Sequence, residues 1–182
     1  MLGGTLQTSR LNLRMLTAAD ASLAYLSWMR DPLINQYLES RFSMPKHTKD
    51  LVDFIEHVNV SPDSLLLGIF LSEDNRHIGN IKIGPVNSRH ARAELGYLIG
   101  DRSVWSMGYG SEAIREVARY GIEELGLAKI TAGVYETNIG SAKALEKAGF
   151  KLEATIPSHV ICDGQRIASQ LYGLDAQQLP KI

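Results

Sequence analysis

The densest chemical signal in the chain is the run Trp105-Ser-Met-Gly108-Tyr-Gly110-Ser-Glu-Ala113. Glycines at 108 and 110 let the main chain turn without a side-chain clash, so successive N–H groups converge where an amphipathic helix begins. The positive end of that helix makes the turn a candidate phosphate site. A tight strand-to-helix connection without a ligand is the competing reading of the same glycines. No Gly-Lys-Ser/Thr follows, which excludes a Walker loop. The dinucleotide pattern G-x-G-x-x-G/A is met by Gly108, Gly110 and Ala113, and Glu136 ends the next strand where a ribose-binding acid would sit. In that fold the glycines follow their strand directly and open a repeated βαβ unit. Here Asp101 to Met107 intervenes and an antiparallel meander precedes, so an NAD-binding oxidoreductase is the lesser alternative.

The elements that must position this turn are legible from periodicity. Arg10 to Leu16 alternates as a short strand, and Thr17 with Asp20 resembles a capping box opening a helix through Met29, stopped at Asp31-Pro32. A second helix starts at Thr48 and carries Leu51, Ile55 and Val58 on one face. Leu65 to Leu71, His77 to Ile83 and Ala93 to Ile99 read as three consecutive antiparallel strands, with a turn at Glu73 to Arg76. The period then changes: Ala113, Ile114, Val117, Ala118, Gly121 and Leu125 form an apolar stripe opposed by Glu112, Arg115, Glu116, Arg119 and Glu123. Lys129 to Tyr135 is a strand, Ser141 to Ala148 a short helix ended by Gly149, and Lys151 onward strands with a turn at Asp163-Gly164.

Composition sets the outer bounds. With 182 residues, 45% of them hydrophobic and 21% charged, the chain fits one globular domain covering residues 1–182. A net charge of −1 supplies no global field for nucleic acid or an anionic membrane, so neither is an expected partner. Met1 to Gln7 lacks a basic and then apolar leader, and Leu65 to Leu71 is too short to cross a bilayer; a cytoplasmic protein is expected. The single cysteine, Cys162, removes any intramolecular disulfide framework. His57, His77, His90 and His159 have no metal-ligand spacing, so no metal is expected.

Taken in order, Leu6-Gln-Thr-Ser-Arg-Leu-Asn-Leu-Arg14, Ala93-Glu-Leu-Gly-Tyr-Leu-Ile-Gly100, Trp105 to Ala113 and Thr137 to Phe150 resemble the GCN5-related N-acetyltransferases (GNAT), in particular the ribosomal-protein acetyltransferase-like branch. The resemblance implies a mixed α/β fold: a central, mostly antiparallel twisted sheet flanked by helices and splayed between two central strands. It implies acetyl-CoA as cosubstrate, its pyrophosphate held by main-chain N–H groups of Met107, Gly108, Tyr109, Gly110 and Ser111. The pantetheine arm would enter between the strands Leu95 to Gly100 and Lys129 to Tyr135 and bond the main chain of Leu98 and Ile99, with Asn138 nearby. Glu94, on the strand resembling the catalytic one, is the first candidate base, and Glu136 the second. Many relatives carry a tyrosine acid where this chain has Leu145. In the ribosomal-protein branch a serine takes the proton-donor or thiol-contact place, here Ser141.

Acceptor residues should come from the two early helices and their connection. The stretch Asn35 to His47 is polar, aromatic and basic, so Arg41, Lys46 and His47 are candidates to meet a phosphate or carboxylate, and Trp28 and Tyr37 to contact the acceptor. The run from Trp28 through Phe42 resembles acetyltransferases acting on nucleotide-activated amino sugars. The expectation is direct transfer, without a covalent enzyme intermediate, to a primary amine of a small molecule. A protein N-terminus, a polyamine and a non-catalytic acyl-CoA sensor stay open as alternatives, as does a homodimer.

Overall fold

A computed structural model describes residues 5–179; Met1 to Gly4, the start of the stretch read as lacking a leader, lie outside them. The chain enters on two short strands, β1 (Leu6–Gln7) and β2 (Leu11–Met15), then forms three helices, α1 (Leu23–Arg30), α2 (Pro32–Asn35) and α3 (Thr48–Asn59). The meander follows as β3 (Leu65–Leu71), β4 (His77–Ile83) and β5 (Arg92–Ile99). Helix α4 (Tyr109–Glu123), strand β6 (Lys129–Tyr135), helix α5 (Ile139–Lys147) and the hairpin β7 (Lys151–Cys162) and β8 (Gln165–Asp175) come last. The eight strands form one sheet in the order β1-β2-β3-β4-β5-β6-β8-β7. Every neighbouring pair is antiparallel except β5 and β6.

The hydrophobic periods build a helical layer on each face of the sheet. Strand β3 is apolar throughout because it is covered twice: Leu67, Ile69 and Leu71 face one core, Leu66 and Phe70 the other. On one side α3 buries Leu51, Ile55 and Val58, and α1 buries Tyr25, Leu26 and Trp28. On the other, α4 buries Ala113, Ile114, Val117 and Ala118, and α5 adds Ala142 and Leu145. Among the described residues no helix is long and apolar enough to cross a membrane. No group of three or more His, Cys, Asp or Glu side chains among them is arranged to hold a metal ion.

Three local features differ from the pattern-based reading. The capping box at Thr17 and Asp20 forms, but it closes only a 3-10 turn, Ala18–Asp20, because Asp20 is drawn into a bidentate pair with Arg14 at 2.9 and 2.8 Å. Ser22 caps α1 instead, its side chain accepting from the Tyr25 N–H at 3.1 Å. Asp31-Pro32 ends α1 and also starts α2, since the Asp31 carboxylate accepts from the Leu33 N–H (2.9 Å) and proline suits the first helical position. Glu116, placed by periodicity on the solvent side of α4, is buried with Arg119 at 2.6 Å.

Burial alone would raise the Asp20 pKa, but Arg14 and the Thr17 N–H and hydroxyl draw it down to about 2. Because the folded value lies below the ordinary 3.8, this stabilisation is complete above about pH 4 and fades as pH falls toward about 2. Asp20→Asn is expected to lower the Tm at pH 7, and its deficit against the wild type to shrink across that acid window. Melts by calorimetry from pH 7 to pH 2 read both effects.

Candidate active site

Strands β5 and β6 run parallel and pair at only three registers: Arg92 with Lys129, Ala93 with Ile130, and Glu94 with Thr131. Past Glu94 they part, while β5 stays paired with β4 to Ile99 and β6 with β8 to Tyr135. The middle of the sheet is therefore split. Alternation decides which main-chain groups line the split. Gly84 N donates to Glu94 O and Gly100 N to Ile78 O, both at 2.8 Å, so the even-numbered residues of β5 address β4. Those of Leu95, Tyr97 and Ile99 address the split. Leu98, expected to offer its main chain there, faces β4 with Asn80 as its register partner, and Tyr97 takes that place. The Ile99 carbonyl does face the split, and it accepts from Trp105 Nε1 at 2.9 Å.

The glycine turn follows β5 after one 3-10 turn, Arg102–Val104. Gly108 caps α4 at φ 86°, a left-handed conformation that glycine adopts without strain, and contributes no capping side chain. Helix geometry leaves the N–H groups of Tyr109, Gly110 and Ser111 without partners inside α4, at its positive end. Arg10 clamps this turn from the far end of the chain. Its Nη1 donates to Met107 O (3.0 Å), its guanidinium pairs with Glu112 (2.5 Å), and it lies 4.3 Å over the Tyr109 ring. Thr8 Oγ1 donates to the same carboxylate at 2.5 Å. Burial pushes the Glu112 carboxyl up, but Thr8 and Arg10 together hold it below its usual range. The motif reading missed Arg10, because nothing local ties it to a turn on the other side of the fold.

The two faces of the split differ. On the α1 and α3 side lie Glu94 and Gly96 of β5, and Thr131, Gly133 and Tyr135 of β6. A Cβ added at Gly96 or Gly133 would meet nothing within 4 Å, so this floor is open. Residues between α2 and α3 wall it. Tyr37 lies with its ring 5.9 Å from that of Tyr135 and donates its hydroxyl to Thr137 O (3.3 Å). Tyr135 donates to Glu39 Oε1 (2.6 Å), and Arg41 donates to the Tyr135 hydroxyl (2.9 Å) and to Ile161 O (2.7 Å). Tyr37 and Arg41 thus reach the groove, but the Arg41 guanidinium is already engaged by neutral oxygens.

The remaining acceptor and base candidates lie apart from that floor. Trp28 is a core residue, 8% exposed, packed over Gly100 so closely that a Cβ there would overlap the indole. It lines an open cavity of about 570 Å³ where Asp31 pairs with Arg102 at 3.6 Å. His47 caps α3, its N–H held by Asp50 at 3.0 Å, and Lys46 N–H is held by the same oxygen at 2.7 Å. Glu136 follows Tyr135 and accepts from the Ala168 N–H through Oε1 (2.7 Å), so it prolongs the β6–β8 ladder.

On the opposite face Leu95, Tyr97 and Ile99 pack toward α4. The Tyr97 ring stands 3.2 Å from where a Cβ would sit on Gly110, at the start of α4. Burial raises the Tyr97 pKa. Asn138 caps α5, its Oδ1 accepting from Ser141 N (3.2 Å). Leu145 is fully buried in the core and supplies no acid.

A split sheet, a glycine turn at a helix start and carboxylates on the open side define an acyl-CoA-dependent transferase architecture. The acetyltransferase (GNAT) domain model matches residues 10–151, and the chain belongs to that family: it is an acetyl-CoA-dependent N-acetyltransferase. It is similar to N-acetyltransferase p20 of Bacillus licheniformis, itself uncharacterized, at 28% identity over 171 residues, covering 93% of this chain and 95% of that protein. Its fold is similar to that of spermidine N-acetyltransferase from Vibrio cholerae in complex with CoA and spermine. There the TM-score is 0.83 at 18% identity, over 94% of this chain and 99% of that one. It also resembles the microcin C7 self immunity acetyltransferase MccE in complex with acetyl-CoA and AMP (TM-score 0.78, 18% identity, 92% and 93% covered).

The Arg10 clamp is a structural feature that can be tested without a ligand. Glu112→Ala leaves Arg10 and Thr8 without their shared acceptor and should destabilise the fold by about 1 to 3 kcal/mol. Denaturant melts read that loss, and faster amide exchange confined to residues 107–111 would locate it.

Proposed function

We propose that the chain is one acetyltransferase domain that moves the acetyl group of acetyl-CoA directly to a primary amine of a small molecule, with Glu94 as general base. The observation that carries this reading is the position of Glu94: the last paired residue before β5 and β6 part, on the face where Gly96 and Gly133 leave the floor open. In this reading the pyrophosphate sits on the N–H groups from Gly108 through Ser111, with Asn138 beside the arm; the Met107 N–H, also expected there, donates instead to Val104 O at 3.4 Å. The pantetheine arm takes the split as an added strand would, bonding the main chain of Tyr97 and Ile99.

The chemistry sets what the residues must do. An alkylamine has a pKa near about 10.4, so nearly all of it is protonated at neutral pH and a base must free the lone pair. Glu94 takes that proton, directly or through a water, as nitrogen attacks the thioester carbonyl. Glu136 is the weaker candidate, because one of its oxygens is held by the Ala168 N–H.

Charge around the groove favours a cationic alkylamine. Glu94 stands at one end, and the Glu39–Tyr135 pair at the other, about 13 Å along β6 from Thr131 at the usual strand rise. A nucleotide-activated amino sugar would need a free cation for its phosphates, and Arg41 is engaged. The spermine bound by the Vibrio cholerae enzyme is the same chemical class as the proposed acceptor.

Two outcomes test this reading. Glu94→Gln should lower kcat/KM by about 10²- to 10³-fold at pH 7 and recover in part toward pH 10 as the amine deprotonates, measured by thiol release. A pH-independent effect would remove Glu94 as the base. Gly108→Val forces a branched side chain into a left-handed position and should weaken acetyl-CoA binding at least about tenfold in calorimetry. A panel of alkyl diamines, nucleotide-linked amino sugars and peptide N-termini then ranks the acceptors, and thiol release with any of them separates an enzyme from a sensor.

A further inference from the structure

Where β5 ends, one of the main-chain groups that line the split already has a partner. The Ile99 carbonyl is turned away from β4 and accepts from the Trp105 indole, whose Nε1 stands 2.9 Å from it. A side-chain donor thus occupies the place where a neighbouring strand would present an N–H. An arm lying in the split as an added strand needs that same oxygen.

The indole is lightly held, whereas the loop that carries it is not. Trp105 is 40% exposed and packs in neither hydrophobic core. Among the described residues its side chain makes one hydrogen bond, the bond to Ile99, and the Arg102 guanidinium lies 5.7 Å from its ring centroid. The main chain is anchored on both sides. Trp105 N donates to Arg102 O at 3.2 Å, Asp101 caps the 3-10 turn by accepting from Ser103 N at 2.9 Å, and Arg10 holds Met107 O at 3.0 Å. Between these anchors Ser106 keeps φ at 64°, a left-handed conformation that a residue with a side chain adopts at a cost. The indole is free to turn about its own side-chain bonds while the loop stays in place.

We propose that Trp105 is an internal competitor of the cosubstrate: its indole N–H satisfies the Ile99 carbonyl in the ligand-free protein and yields that oxygen to an amide N–H of the pantetheine arm. This rests on the reading that the arm occupies the split. The exchange replaces one N–H···O bond by another, so the oxygen is never left bare. Acetyl-CoA and CoA are both bound more weakly, in proportion to the fraction of molecules whose carbonyl is covered. After transfer, the returning indole favours departure of CoA. A single hydrogen bond of ordinary net strength shifts such an equilibrium about two- to tenfold, enough to tune the affinity without abolishing it.

The test pairs a variant with a measurement on the unaltered protein. Trp105→Phe keeps an aromatic ring on the loop and removes the N–H donor. Expected is a Kd lower by about two- to tenfold, by the same factor for acetyl-CoA and for CoA in calorimetry, with an unchanged melt. In the wild type, which has two tryptophans, the Trp105 indole N–H signal in proton–nitrogen NMR should move on saturation with CoA, while that of the buried Trp28 stays. An equal or higher Kd in Trp105→Phe, or a Trp105 signal that stays in place when CoA is bound, overturns the proposal. Failure of the underlying reading has a different signature: Gly108→Val would then leave CoA affinity unchanged.

Discussion

Everything in this structure depends on β5 and β6 pairing for three residues and then separating. A parallel pair in the middle of a sheet ordinarily continues along both strands, because each unmade main-chain hydrogen bond is costly once water is excluded. Here the pairing stops at Glu94 and Thr131, and the other edges of both strands stay tied to β4 and β8. The two halves of the sheet are thus held apart by their own ladders. In the proposed reading that cost is offset by the pantetheine arm, which brings amide groups of its own into the opening.

Around that opening each side chain does one job because of where alternation sends it. Glu94 faces the open groove, Tyr97 faces the helices, and the glycine turn lies just beyond the end of β5. Long-range contacts complete the frame. Arg10 and Thr8 hold Glu112 and Met107 at the start of α4, and Glu39, Arg41 and Tyr135 tie the segment between α2 and α3 to β6 and β7. The first network rigidifies the turn, and the second fixes the wall of the groove without leaving a free guanidinium inside it.

Much of this was legible in the sequence. The bounds of β3, β4 and β6, and the start of α3, follow from apolar periods read along the chain, and the glycine turn announces itself by composition. What was not legible has specific causes. Thr17 and Asp20 carry a capping signature, but the Arg14 pair that redirects Asp20 is a tertiary event. Arg41 reads as a free cation until its three-dimensional partners, Tyr135 and Ile161, are known. Leu98 and Tyr97 are neighbours in sequence, and only the register with β4 tells which one offers its main chain to the split. Arg10 is separated from its turn by the whole meander, a distance no local pattern spans.

The central claim is that the divided strands and the adjoining turn receive the cosubstrate. Amide hydrogen exchange resolved by residue, with and without CoA, measures this most directly. The account predicts slowed exchange at Tyr97, Ile99 and the N–H groups of Tyr109 to Ser111, with little change along β2 and β3. Protection appearing elsewhere while those amides exchange at their ligand-free rate would contradict it.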